Sequence, residues 1–514
     1  MLLRRDFLRT VGLGAAAALV MSKTRLGEPH RLFAAQGAGQ RPNILYIMAD
    51  DHAAQAISAY GGILARVAPT PNIDRLARQG MRLDNCFCTN SICTPSRGAI
   101  LTGQYSHVTG VYTLDTPLDP ERQNVAKCLQ QAGYQTAMLG KWHLHKDPSG
   151  FDHWNILPGQ GVYHDPVFIE KDKGKQKHTG YVTDIITDLS LEWLKKRDPQ
   201  KPFFLLCHHK APHRSWQPAA RHATWLDDVT IPEPSNLLDR YENRSRAAAN
   251  ATLKVGEDMS KTDLKTEIPK NLDRDALRKW AYQLYLKDYL RCIRAVDENV
   301  GRLLDYLDQA GLAQNTVVIY TSDQGFFLGE HGYYDKRFIY EESLRMPFLV
   351  RYPPEIAAGS VNKDIILNVD FAETFLDYAG RPAPADMQGR SFRANLAGKT
   401  PADWRTAMYY RYWMHLAQHG VPAHYGIRTH KHKLIFYYGL PLNMAGAVKR
   451  PTEPEWELFD LEKDPQEMKN VYADPAYAPV VKELKAELLR LKDAVGDSDK
   501  PYPDLIEVTK KCWE

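Results

Sequence analysis

The sequence predicts an α/β fold: a mixed, largely parallel sheet between helices, followed by a smaller C-terminal antiparallel sheet with a covering helix. Three observations carry this. Between residues 41 and about 396, apolar runs rich in β-branched residues alternate with helical patterns, as strands buried on both faces and joined by crossover helices do. Residues 277–307 carry Tyr285, Tyr289, Ile293, Val296, Val300, Leu303 and Leu307 at steps of three or four, the stripe of a long helix on a core. Beyond Pro401 the pattern changes to short strand-like runs and then one helical segment.

Taken in order, the chain opens with Arg4-Arg5-Asp6-Phe7-Leu8 and a small-residue apolar stretch over 10–21, too short to span a bilayer. It reads as a twin-arginine export signal, removed within 34–39, which delivers a folded protein to the periplasm or beyond. No stable membrane span is expected. The main-sheet strands fall at 43–49, 135–140, 203–207, 316–320 and 348–351. Residues 216–271 are polar, broken by Pro232 and Pro234 and long for a connection; they read as an insertion overhanging the active site. The last strands fall at 407–413, 426–429, 433–438 and 456–461, with a helix over about 480–493. The division is thus a signal peptide at 1–39, a catalytic α/β domain at 40–396 and a C-terminal subdomain at 397–514.

At 514 residues, 44% hydrophobic and 25% charged, the chain has material for a large core. A net charge of +4 makes nucleic acid an unexpected partner but leaves room for a local basic pocket. Seven cysteines are few and odd in number, so most are expected to be structural thiols.

Chemistry concentrates at Cys93-Thr94-Pro95-Ser96-Arg97. Thr94 suits an N-cap and Pro95 the first helical position, predicting a short helix over 96–102 that stops at Gly103. Cys93 then sits at a helix N-terminus, where backbone N–H groups and Arg97 favour an anion. Alone, such a cysteine is more often a buried thiol. Asp50-Asp51 and Asp323-Gln324 change that balance, because each pair follows a predicted strand, and open α/β sheets bind ligands at that edge. Three carboxylates and an amide suit a hard cation such as Ca²⁺ or Mg²⁺.

With Thr70-Pro71-Asn72-Ile73-Asp74, Gly140-Lys141-Trp142-His143 and Ser322-Asp323-Gln324-Gly325 added, the ordered set resembles the type I sulfatase family of the alkaline phosphatase superfamily, over nearly all of the mature chain. The resemblance implies an alkaline-phosphatase-like fold and conversion of Cys93 to Cα-formylglycine by a formylglycine-generating enzyme. It implies Ca²⁺, with Mg²⁺ as the alternative, held by Asp50, Asp51, Asp323, Gln324 and the modified residue 93. Gln324 departs from the Asn or His of many relatives. By the same match Lys141, Arg97 and Lys336 receive sulfate oxygens, with Arg337 the neighbouring alternative to Lys336. His143 contacts the formylglycine hydroxyl and His213 protonates the leaving oxygen, while His208 and His209 pack. Lys141 and His143, two apart after a strand, would face one side if extended.

The pattern around Asp335-Lys336-Arg337 and His424-Tyr425-Gly426 resembles sulfatases that remove the 6-O-sulfate of N-acetylglucosamine in glycosaminoglycans, which implies that Asp335 and His424 hold sugar hydroxyls. Arg428, with His415, His419 and Tyr425, joins them as a candidate on the C-terminal stretch. A sulfated carbohydrate is therefore the expected partner. Iduronate-2-sulfate, glucosamine N-sulfate and aryl sulfates are alternative substrates. A phosphoester or phosphonate hydrolase and a non-catalytic sugar-binding protein are the competing readings.

Overall fold

The structure is a computed structural model that describes residues 41–513; the export signal expected over 1–39 lies outside the described residues. Four apolar runs, Asn43–Ala49, Gln135–Lys141, Phe203–His209 and Thr316–Ser322, make the parallel centre of the sheet. Asn43–Ala49 lies between Phe203–His209 and Thr316–Ser322, and Gln135–Lys141 pairs with the far side of Phe203–His209. Nearly every residue in these strands is buried, so they read as continuous apolar runs rather than alternating ones. His153–Leu157 adds a fifth parallel strand, and mixed pairings, antiparallel except for Ser360–Asn362 against Met81–Leu83, complete a ten-stranded sheet at both edges.

Alternate side chains face two cores. Leu45, Ile47 and Ala49 point to one, closed by Val182–Lys196 and by the long helix Arg274–Gln309, whose predicted stripe from Tyr285 to Leu307 is wholly buried. That helix starts at the cap Asp273, whose side chain accepts from the Ala276 N–H at 2.8 Å. Ile44, Tyr46 and Met48 point to the other core, closed by Val125–Gln131 and Phe371–Tyr378.

The second core continues without a break into the C-terminal sheet. Ala407–Tyr412, His424–Thr429, His432–Tyr437 and Glu455–Asp460 pair antiparallel in that order, with Ala478–Ala494 over them and Pro503–Cys512 as a further helix. Tyr409, Tyr425, Leu434 and Phe436 share one cluster with Phe371 and Phe375 of the main domain. The 216–271 segment is turns and short helices, including Arg246–Asn250 and Lys261–Leu264. All seven cysteines are free thiols. No helix among the described residues is long and apolar enough to cross a membrane.

Candidate active site

The carboxyl ends of the parallel strands converge on one helix N-terminus. Asp50 and Asp51 follow Asn43–Ala49, Lys141 ends Gln135–Lys141, Lys210 follows Phe203–His209 and Asp323 follows Thr316–Ser322. The helix facing them is Cys93–Thr102, entirely buried, and it stops at Gly103 in a left-handed conformation as expected. Its start corrects the prediction. Ile92, in extended conformation, is the N-cap and supplies no side-chain bond. Thr94 lies inside the first turn and donates instead to the His143 carbonyl at 3.0 Å, which ties the helix to the loop after Lys141.

Cys93 is 1% exposed, with Sγ 3.6 Å from Asp50 Oδ1. Asp50, Asp51 and Cys93 offer ligand atoms all within 4.8 Å of one another. Asp323 joins them through Arg97, whose Nε donates to Asp323 Oδ2 at 3.0 Å and whose Nη2 lies 3.4 Å from Asp50 Oδ1. Arg97 Nη1 donates to the Lys141 carbonyl at 2.7 Å, so this arginine braces the carboxylates and the lysine together. Gln324 Nε2 donates to Asp51 Oδ1, leaving its Oε1 buried with no partner. A buried amide oxygen beside three carboxylates is a donor set for a hard divalent cation, and the glutamine in place of a shorter side chain still reaches the cluster.

Lysines close the cluster on two sides. Lys141 Nζ donates to Asp50 Oδ2 and to Gln160 Oε1. Lys336 Nζ donates to both Asp51 oxygens at 2.7 Å, whereas Arg337 turns away to Gln418 Oε1 at 2.7 Å; Lys336 is therefore the lysine at the site. Burial raises the Asp50 carboxyl, but Lys141, His213 and Arg97 outweigh it and hold the group well below its ordinary range. Burial pushes Asp51 up to about 7 against the pull of Lys336. The Cys93 thiol is driven far above its ordinary value by burial, a shift that Lys336 opposes and Asp50 reinforces.

His143 does not extend the strand. It takes a left-handed backbone, φ 57°, so the same-side argument for Lys141 and His143 fails; its Nδ1 is buried and unpartnered. Burial, then Lys141 and Arg97, lower its pKa to about 2. Gly140 is required by the close approach of the neighbouring strand: its φ is +102°, and a Cβ would stand 2.0 Å from the His208 carbonyl oxygen. His213 Nδ1 donates to the Arg214 carbonyl at 2.6 Å, turning Nε2 to within 3.7 Å of Asp51 Oδ2. His208 Nδ1 donates to the Lys141 carbonyl at 3.2 Å, a supporting contact.

Asp335 is buried beside Lys336, and His424 is buried between Tyr410, Tyr412 and Phe338 with Nε2 unpartnered. Arg428 is a correction. Its Nε and Nη2 are bound by Glu341 at 3.1 and 3.2 Å and its guanidinium lies over the Phe87 ring, so it ties the C-terminal sheet to the segments around Glu341 and Phe87 and is committed to that contact. Gln160, Lys210 over the Tyr163 ring, and Arg214 were not assigned from the sequence; none stands in a recognisable local pattern.

A buried cluster of carboxylates and lysines at the carboxyl edge of such a sheet stands where open α/β sheets bind their ligands, with fixed positive charge suited to an oxyanion. The sulfatase family model matches residues 42–381, and the chain belongs to that family: it is a sulfuric ester hydrolase. A second model, described as N-sulphoglucosamine sulphohydrolase, C-terminal, matches 329–494, from the Lys336 loop through the C-terminal sheet. An N-acetylglucosamine-6-O-sulfatase of Bacteroides thetaiotaomicron is 44% identical over 505 residues, covering 90% of this chain and 88% of that one. A solved structure in complex with its substrate D-glucosamine-2-N,6-O-disulfate superposes with a TM-score of 0.85 at 44% identity, covering 90% of this chain and all of the other. A phosphonate monoester hydrolase of Silicibacter pomeroyi shares the fold at a TM-score of 0.70 and 21% identity, over 89% of this chain and 96% of its own.

Proposed function

We propose that the enzyme removes the 6-O-sulfate of N-acetylglucosamine units in glycosaminoglycan-type sugars, using formylglycine made from Cys93 and a bound Ca²⁺, with Mg²⁺ as the alternative. The observation that carries the chemistry is the position of Cys93, sealed at a helix N-terminus 3.6 Å from Asp50. Burial holds its thiol protonated, so sulfur itself is a poor nucleophile and a modified residue answers the need. Formylglycine would supply a hydrated aldehyde as nucleophile toward the sulfate ester, and the cation held by Asp50, Asp51, Asp323 and Gln324 would supply positive charge beside it.

The chain's own residues do the rest. Asp50, Asp51, Asp323 and Gln324 hold the cation. Three carboxylates balance Arg97, Lys141 and Lys336, so a divalent cation leaves the seat net positive toward a sulfate ester. Lys141, Lys336 and Arg97 spread the charge on the sulfate oxygens, and Arg97 also keeps Lys141 and Asp323 in register. His213, with Nδ1 committed to a carbonyl, turns Nε2 to the site; burial and Lys141 hold the ring neutral, so Nε2 takes up a proton, favoured by the negative charge of a bound sulfate, before giving it to the departing sugar oxygen. His143, uncharged in its buried setting, accepts a proton from the residue at 93. Asp335 and His424 are assigned to sugar hydroxyls. Processing of Cys93 by a formylglycine-generating enzyme and export through the Arg4-Arg5 signal complete the reading.

The 44% identical N-acetylglucosamine-6-O-sulfatase supports the choice of sugar. A second reading, cleavage of the glucosamine N-sulfate, is favoured by the C-terminal family match. Sulfate release from N-acetylglucosamine-6-sulfate, glucosamine-N-sulfate, an iduronate-2-sulfate disaccharide, an aryl sulfate and an aryl phosphate separates these. Release chiefly from the first is expected; turnover of the phosphate alone defeats the sulfatase chemistry. The mass of the peptide containing residue 93 reports the conversion directly.

A further inference from the structure

Asp335 does not stand free beside Lys336. It takes a left-handed backbone, φ 76°, and its Oδ1 accepts from the Lys336 N–H at 2.9 Å. Its Oδ2 is met by two other parts of the chain. Arg214, from the loop after Phe203–His209, brings Nη1 to 3.6 Å, and His419, after Ala407–Tyr412, brings Nε2 to 3.2 Å. His419 Nε2 and Arg214 Nη1 are themselves 3.3 Å apart.

Both partners are fixed from behind. Asp263, in the 216–271 insertion, holds the Arg214 fork through Nε at 3.2 Å and Nη2 at 2.6 Å, and the guanidinium lies over the Tyr334 ring at 4.9 Å. His419 Nδ1 donates to the Thr252 carbonyl of the same insertion at 2.9 Å, which leaves Nε2 one direction to face. Arg214 and His419 also line an open depression of 470 Å³, with Thr252, Asp258, Tyr334 and Gln418. Its lining is mostly polar, with Arg214, Gln418 and the Asp258 carboxylate offering the donors and acceptors that sugar hydroxyls pair with.

We propose that Arg214 and His419 act as one unit with Asp335, fixing it at the mouth of the site and selecting the sugar part of the substrate rather than its sulfate. The insertion then serves recognition through Asp263 and Thr252, and the C-terminal sheet contributes through His419. This rests on the assignment of Asp335 to the sugar.

The test compares KM for N-acetylglucosamine-6-sulfate with the inhibition constant of inorganic sulfate, in the full chain and in Asp335→Asn, Arg214→Gln, Arg214→Lys and His419→Gln, with thermal midpoints for each. Loss of the charge at 335 or 214, or of the His419 ring between them, predicts a KM rise of about tenfold, with sulfate inhibition unchanged within about twofold. Arg214→Lys, which keeps the charge but not the fork, is expected between wild type and Arg214→Gln, and it carries the test should Arg214→Gln fail to fold. If Asp335→Asn alone shows the sugar-selective loss, the unit is refuted while the assignment of Asp335 stands. If Asp335→Asn leaves sugar KM unchanged, the assignment falls and the unit with it. Equal weakening of sugar and sulfate in the Arg214 and His419 variants also overturns the proposal.

Discussion

Replacing Arg428 by Met is expected to destabilise the fold and leave substrate affinity alone. Arg428 makes two hydrogen bonds to Glu341, at 3.1 and 3.2 Å, and packs at 4.5 Å over Phe87. Met retains most of that packing, so the change isolates the charge. Glu341 keeps Lys433 at 3.0 Å and Arg345 at 2.6 Å, so it is weakened rather than stranded. Removing one member of a buried pair costs about 3–5 kcal/mol, and the two remaining cations put this case near 3 kcal/mol. Urea unfolding followed by fluorescence should show a lower midpoint at unchanged slope. Michaelis kinetics on a sulfated sugar, well below the transition, should give KM within about twofold of wild type. Glu341→Gln should lose comparable stability, and the double variant less than the sum. A KM rise of about tenfold at unchanged midpoint would refute the structural role and return Arg428 to the sugar.

Gly140→Ala must place a Cβ 2.0 Å from the His208 carbonyl at φ +102°, so a loss of about 3–5 kcal/mol in stability and of nearly all activity through Lys141 is expected; near-wild-type melting and turnover would contradict the geometry. The Glu373 carboxyl is raised from 4.5 to about 8 by burial and then Asp370. Because the unfolded chain ionises first, this group contributes nothing below about pH 4.5 and destabilises progressively up to about pH 8. Glu373→Gln should therefore gain on the order of 3 kcal/mol in unfolding free energy at pH 8.5 relative to wild type, and almost nothing at pH 4; a pH-independent difference would contradict the assignment. Chelation by excess EDTA should abolish sulfate release and lower the thermal midpoint, with both restored by Ca²⁺; activity indifferent to chelator would exclude the cation seat at Asp50, Asp51 and Asp323.

The central strands were legible because strands buried on both faces need apolar side chains at every position. The first was placed to the residue at 43–49, but three ran on past their predicted ends: Lys141, His208, His209 and Ser322 continue them with polar residues, since the carboxyl edge is where chemistry replaces packing. The start of the Cys93 helix was misplaced because Thr94-Pro95 imitates a cap and first turn, while Thr94 bonds a residue 49 positions away. Arg428 was misread for a similar reason. It lies on the same strand as His424, and nothing local announces Glu341, 87 residues distant, as its partner. The ordered carboxylates, lysines and Cys93 were readable as a set because each stands beside an element boundary. Arg214 acquires meaning only when the insertion, the Asp335 strand and the C-terminal loop meet.

The hydrophobic cluster common to the main domain and the C-terminal sheet bears on how such an enzyme changes its diet. Tyr425 and Phe436 sit in the same packed mass as Phe371 and Phe375, and Tyr410 on the C-terminal sheet holds the Arg337 carbonyl at 2.7 Å, next to Lys336. Exchanging residues 397–514 for those of another sulfatase would thus recut the interior and disturb the loop at Lys336 at once. The turn carrying His419 is bound into the same mass through Ala417 and Val421, so a change of sugar is easier to reach by replacing single side chains than by exchanging a segment.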